Sequence, residues 1–272
     1  MEEIVVEAGA GLRHYTKDLW RFRELVFILA WRDISVRYKQ TILGIAWSAI
    51  RPILMTVVFT IIFGILAKFP NHDVPYPILV LSGMLGWQFF ASALESTSSS
   101  VIGNSNLISK VYFPRVIIPL SALAISVVDL AINTVILAAV MAWYHYLPSI
   151  RILFVPAFLL LAAALTLGLG LWFSALSAKY RDFRVIVPFL IQFGFYLSPV
   201  GFSTSIVPAN WKFWFALNPM VGIIDGIRWC ILPTGPAPDS TALIASIVFS
   251  GLILVSGFWV FRSLERQFAD VL

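Results

Sequence analysis

Of 272 residues, 60% are hydrophobic and 12% charged, with a mean hydropathy of +0.89; these values exclude a soluble domain and describe an integral membrane protein. The formal charge of +5 does not mark a nucleic-acid binder, because Lys and Arg stand at the ends of apolar runs rather than in one patch, as membrane topology requires. The single cysteine, Cys230, excludes an intrachain disulfide framework.

The chain starts on an acidic stretch, MEEIVVEAGAG. It lacks the cationic head and short apolar core of a cleavable signal, so the chain is expected to be mature from Met1. Leu19 to Gln40 follows as a helix with Arg21, Glu24, Arg32, Ser35 and Lys39 gathered toward one side. Phe22, Val26, Leu29 and Trp31 lie largely elsewhere, and Ile28 interrupts the pattern. A basic, aromatic-bearing helix of this kind prefers the headgroup layer.

A membrane crossing takes about 20 apolar residues, and six runs fit. They cover residues 43–67 with Arg51 near the start, 77–94, 116–146 with Asp129 inside, 152–178, 185 to roughly 202, and 241–261. Trp211 to Leu232 is also apolar but carries Asn218-Pro219, Gly222, Asp225, Gly226 and Arg228. Proline, glycine and charge suit a re-entrant hairpin enclosed by protein. The expected fold is all-α: an amphipathic interfacial helix, six transmembrane helices, and a re-entrant hairpin between the fifth and sixth. Residues 1–42 form the cytoplasmic amino-terminal part, 43–261 the membrane domain with its re-entrant region at 203–235, and 262–272 a cytoplasmic tail.

Charge orients this scheme. With both termini cytoplasmic, the inner segments hold the cations from Arg13 to Arg51, then Lys110, Arg115, Lys179, Arg181, Arg184, Arg262 and Arg266. Only Lys68, Arg151, Lys212 and Arg228 fall outside. The connector at 104–115, with its stretch LISKVYFPR, is then cytoplasmic.

Catalytic signals are sparse. A glycine-rich phosphate loop ending in Gly-Lys is absent, and His14, His72 and His145 lack metal-ligand spacing. Asp129, with Asn133 one turn later, is an intramembrane acid that fits either a helix-joining polar pair or an ion-coupled carrier. The 40 aromatic residues fit interfacial belts first. Trp87, Phe90, Phe189, Phe193 and Tyr196 are candidates for a path on which sugar rings stack.

Several ordered motifs then coincide: Arg37-Tyr38-Lys39-Gln40-Thr41-Ile42-Leu43-Gly44 with Trp47 and Arg51-Pro52, Asn106-Leu107-Ile108 with Lys110 and Phe113-Pro114-Arg115, Tyr180-Arg181-Asp182, and Asn218-Pro219-Met220. Through them the chain resembles the type-2 ATP-binding-cassette exporter permeases, in the branch that moves lipid-linked polysaccharides such as O-antigens, capsules and teichoic acids. The resemblance implies a non-catalytic subunit without a cofactor or metal of its own. A homodimer in a bacterial inner membrane, with two partner ATPases that bind ATP and Mg, and a lipid-linked glycan as substrate, are also implied. Leu107, Lys110, Tyr112, Phe113, Pro114 and Arg115 then resemble the segment that docks on the ATPase. Arg32, Arg37, Lys39 and Arg51 become candidates for the lipid pyrophosphate, and Asn218, Pro219, Asp225 and Arg228 for the outer gate. A small-lipid or drug exporter of the same family, and a gradient-driven carrier using Asp129, are the competing readings.

Overall fold

The computed structural model describes residues 19–39, 46–67, 74–265 and 268. Its regular elements are helical: α1 (Arg23–Lys39), α2 (Ala46–Phe59) with a π-helical extension (Thr60–Leu66), α3 (Tyr76–Gly103), α4 (Ser105–Ile108), α5 (Ile117–Trp143), α6 (Val155–Lys179), α7 (Phe183–Tyr196), α8 (Ala209–Ala216), α9 (Pro219–Ile231) and α10 (Ser240–Glu265). A 3-10 turn, Ile150–Phe154, leads into α6.

Among the described residues, five helices are long and apolar enough to cross a membrane: α2 with its extension, α3, α5, α6 with its leading turn, and α10. The fifth expected span is different. Where the apolar run suggested 185–202, α7 has 14 residues, about 21 Å at 1.5 Å per residue. The chain leaves the helix at Ser198-Pro199-Val200-Gly201, where Pro199 has no N–H to donate and disfavours helical backbone before it.

α3 is the axis of the bundle. It is the least apolar of the five long helices and by far the most enclosed. A helix surrounded by protein needs no lipid-compatible surface, so α3 can carry Ser82, Thr97 and Ser100. Their hydroxyls bond the carbonyls of Leu79, Ala93 and Thr97 at 2.7–2.8 Å, which removes the cost of burying them. α5, α6, α7 and α9 pack around this axis through Trp87, Phe90, Leu137, Leu165, Val187, Ile223 and Ile227.

α6 and α10 pack directly on each other. Small residues explain how close they come: a Cβ on Gly168 would meet the Ile253 carbonyl and the Leu254 nitrogen at 2.6 Å, and one on Gly257 would strike Gly168 itself. Backbone contact of this kind replaces the hydrophobic drive that lipid does not supply. Trp172 on α6 adds an indole hydrogen bond to Ser256 at 3.1 Å.

A second cluster fills the end of the bundle where α3 meets α4. Leu29 from α1, Ile108, Phe113, Val116, Ile117, Phe261 and Phe268 are buried together there. It ties α1, the connector after α3 and the end of α10 into one unit.

Candidate functional site

The connector between α3 and α5 is built from its backbone outward. Asn104 ends α3, and its side-chain nitrogen bonds the Ser100 carbonyl at 2.9 Å. The short α4 and a turn follow before α5 resumes at Ile117. Neighbouring residues in that turn face opposite ways: Phe113 is 3% exposed and Tyr112 67%. Phe113, expected to reach a partner, instead fills the chain's own second cluster. Pro114 is buried beside it, while Lys110 and Val111 share the exposed tip with Tyr112 and Leu107 is half-buried. Arg115 is also turned inward: its backbone N–H bonds a Glu265 carboxylate oxygen at 2.9 Å, its guanidinium bonds the Glu265 carbonyl, and it lies over the Phe268 ring. The connector is a clamped loop with Lys110, Val111 and Tyr112 at its tip.

α1 joins this connector to a polar cluster inside the bundle. Near its middle, Arg32 donates to Asp33 and, at 2.6 Å, to the Asn104 side-chain oxygen. At its far end, Arg37 pairs with Asp129 of α5 at 3.0 Å. The same carboxylate accepts from the hydroxyls of Tyr38 at 2.9 Å, Ser48 at 2.9 Å and Ser92 at 2.7 Å. Four donors from α1, α2 and α3 thus converge on one acid of α5. Burial pushes the Tyr38 phenol pKa up, so it remains a donor. Asp129 is a joint rather than an isolated acid, and Asn133 supports it locally by bonding the Asp129 carbonyl at 2.9 Å. Of the four cations proposed for the pyrophosphate, Arg32 and Arg37 are on α1 with acidic partners, and Arg51 is exposed on α2. The Lys39 side chain and residues 40–45, which hold much of the first motif, lie outside the described residues. Phe27, Ile28 and Trp31 are exposed along α1, and Trp20 just before it, a surface suited to the headgroup layer.

The opposite end of the bundle holds the other candidates together. Asn218 caps α9 by accepting from the Met220 N–H at 3.0 Å, and Pro219 occupies the first helical turn, where no N–H is needed. Its amide nitrogen donates to the Leu197 carbonyl and the Ser198 hydroxyl, both at 3.1 Å. That side chain therefore fastens the start of α9 to the end of α7. Arg228 is buried in α9 and donates to the carbonyls of Val200 at 2.6 Å, Phe202 at 2.7 Å and Leu79 at 3.3 Å. Asp225 stands 3.9 Å from it and accepts from the Thr204 hydroxyl. The Val200 and Phe202 carbonyls thus gain donors that the turn itself does not supply. Tyr76, at the start of α3, adds a hydrogen bond to the Gly201 carbonyl.

The aromatic candidates divide. Phe189 and Phe193 stack at 6.0 Å with rings 9° apart, and with Tyr196 they are exposed along α7. Trp87 and Phe90 are buried in the core, 5.3 Å apart, against Phe195. The sequence reading named all five as candidates and favoured Phe189, Phe193 and Tyr196, which share a helical face; the structure places only these α7 residues on a surface. The Arg37–Asp129 joint was missed as a pair, although both residues stood out singly.

The ABC-2 type transporter family matches residues 24–232. The chain is 27% identical to the O-antigen export system permease protein RfbA of Klebsiella pneumoniae over 92% of its own length and 95% of that protein. A protein of the same description from Myxococcus xanthus is 24% identical over 93% and 97%. The polysialic acid transport protein KpsM of Escherichia coli is 21% identical over 86% and 91%.

Proposed function

The chain belongs to the ABC-2 type transporter family, and from that premise we propose that it is the multi-pass permease subunit of an ATP-driven exporter of lipid-linked polysaccharide. End-to-end similarity to two O-antigen export permeases and a polysialic acid transport protein carries this reading. The subunit is non-catalytic, and ATP with its Mg belongs to a separate ATPase.

Two copies of the chain in a bacterial inner membrane, each with an ATPase on the cytoplasmic side, form the transporter. The tip at Lys110, Val111 and Tyr112 meets the ATPase. Phe113, Pro114 and Arg115 clamp that tip to the bundle, so a push on Tyr112 reaches α1 and α10 through packed side chains instead of being absorbed by a slack loop. Arg32, Arg37, Lys39 and Arg51 hold the lipid's pyrophosphate, and Phe189, Phe193 and Tyr196 offer ring faces to the moving sugars.

Six crossings with both termini cytoplasmic fit the contacts. The Arg115–Glu265 bonds put the end of α10 beside the connector after α3. α7 starts just after α6 ends, and in the turn beyond α7 the Gly201 carbonyl accepts from Tyr76 at the other end of α3, where Arg228 bridges the Val200 and Leu79 carbonyls. These positions support a single crossing between them, with α7 as a short fifth span. α8 and α9 then form a re-entrant hairpin whose second helix is almost wholly buried.

Photocrosslinking from position 112 in native membranes tests the docking. Capture of a nucleotide-binding ATPase supports the reading; capture of lipid alone by a reactive probe in an intact complex refutes it.

A further inference from the structure

A cavity of about 290 Å³ opens at the outer-gate end, between α8, α9 and the start of α10. Thr204, Lys212, Phe215, Asp225, Arg228 and Asp239 are among its lining residues. We propose that this cavity binds a single neutral sugar ring, and that each protomer thereby holds one unit of the glycan as it emerges. The ligand's source rests on the polysaccharide-export reading; the pocket's chemistry does not.

Size comes first. Ligand pockets usually run from about 300 to 1,000 Å³, so this one sits at the small end and suits one ring rather than a drug or a lipid. Charge comes second. Two acids, Asp225 and Asp239, and two bases, Lys212 and Arg228, share the lining. An anion would meet the carboxylates and a cation the bases. Hydroxyls can donate to the first pair and accept from the second at the same time, and Phe215 supplies an apolar wall for a ring's C–H face.

The site is also built. Arg228 is 6% exposed, its two terminal nitrogens are taken up by backbone carbonyls, and its Nε–H has no acceptor among the described residues. Those bonds fix the guanidinium in the cavity wall before any ligand arrives. Gly83 makes room for the guanidinium: a Cβ there would meet Arg228 Nη2 and the Val200 oxygen at 2.6 Å. Asp225 and Arg228 are 3.9 Å apart, against 3.0 Å for Arg37 and Asp129, so the pocket's own ions are only loosely paired.

The test uses the full chain with its ATPase in lipid nanodiscs and saturation-transfer NMR. Mannose, galactose, glucose, rhamnose and N-acetylglucosamine serve as probes, with inorganic phosphate as the charged comparison. At least one sugar is expected to bind at millimolar concentration, and to weaken tenfold or more in Lys212→Ala and in Phe215→Leu. Asp239→Asn, which retains an oxygen to accept from the Thr241 N–H as Asp239 does at 3.2 Å, should also weaken it. Absence of sugar binding, sugar binding indifferent to all three variants, or phosphate binding in place of sugar overturns the pocket. Surface glycan in a strain lacking this protein is scored separately. Its persistence refutes export, whereas its loss alongside a silent pocket refutes only the pocket.

Discussion

Arg37 reaches Asp129 at 3.0 Å, from the far end of α1 to the middle of α5. Arg37's side chain is 41% exposed and that of Asp129 10%, so the acid is committed to the fold while the base stays accessible. Asp129→Ala deprives the guanidinium and three hydroxyls of their shared acceptor. The expected loss is on the order of 2 kcal/mol, below the ~3–5 kcal/mol of a fully buried pair because solvent screens Arg37. Arg37→Gln should cost less, about 1 kcal/mol. Thermal unfolding of both variants and of the double variant in nanodiscs measures this, and the double variant should fall short of additivity. A gradient-driven carrier predicts another pattern: Asp129→Asn would then abolish transport without lowering stability.

Tyr112 and Phe113 separate docking from folding. Phe113→Ala removes a ring from the buried cluster shared with Leu29 and Phe261 and should destabilise by about 3 kcal/mol. Tyr112→Ala should stay within about 0.5 kcal/mol of the parent, as exposed positions do. Its effect should appear in ATPase binding, weakened tenfold or more if the ring is a contact anchor. Melting curves and binding of the purified ATPase decide it; unchanged binding by Tyr112→Ala would remove the tip from the interface.

Membrane class, the five long helices and the existence of the connector were legible because apolar run length and cation placement report them directly. The end of α7 was not, since no charge interrupts Ser198-Pro199-Val200-Gly201 and hydropathy runs on through a turn that proline and glycine in fact close. Residue type could not separate Tyr112 from Phe113 or Phe189 from Trp87; their roles depend on which way each faces. Asp129 was visible as an anomaly, but its partners Arg37, Ser48 and Ser92 come from three other helices, and only packing brings them together. The serines and threonines of α3 signal its central place, and the sequence reading did not use them.

Phe189, Phe193 and Tyr196 should tolerate truncation as Trp87 and Phe90 do not. Replacing any of the three exposed rings by alanine removes no core contact, so thermal stability should hold within about 0.5 kcal/mol. Trp87→Ala should cost about 3 kcal/mol or more. With protein levels matched, a triple alanine variant on α7 should lower surface polysaccharide while ATPase binding persists. Export at the parent rate would mean that α7 does not line the path.

Asn218 performs two tasks that one substitution can separate. Its oxygen caps α9 through the Met220 N–H, and its nitrogen ties Leu197 and Ser198. Asn218→Ala loses both and should destabilise by about 2 kcal/mol, roughly 1 for the cap and 1 for the lost tie. Asn218→Asp keeps a capping oxygen and gains favourable charge at a helix amino terminus, but it cannot donate to the Leu197 carbonyl. It should recover the cap alone. Hydrogen exchange at Met220 and Val221 reads the cap, and exchange after α7 reads the tie. In Asn218→Asp the first region should stay protected and the second should open. Equal opening of both would show that the turn after α7 and the start of α9 move as one body, with no separate tie to break.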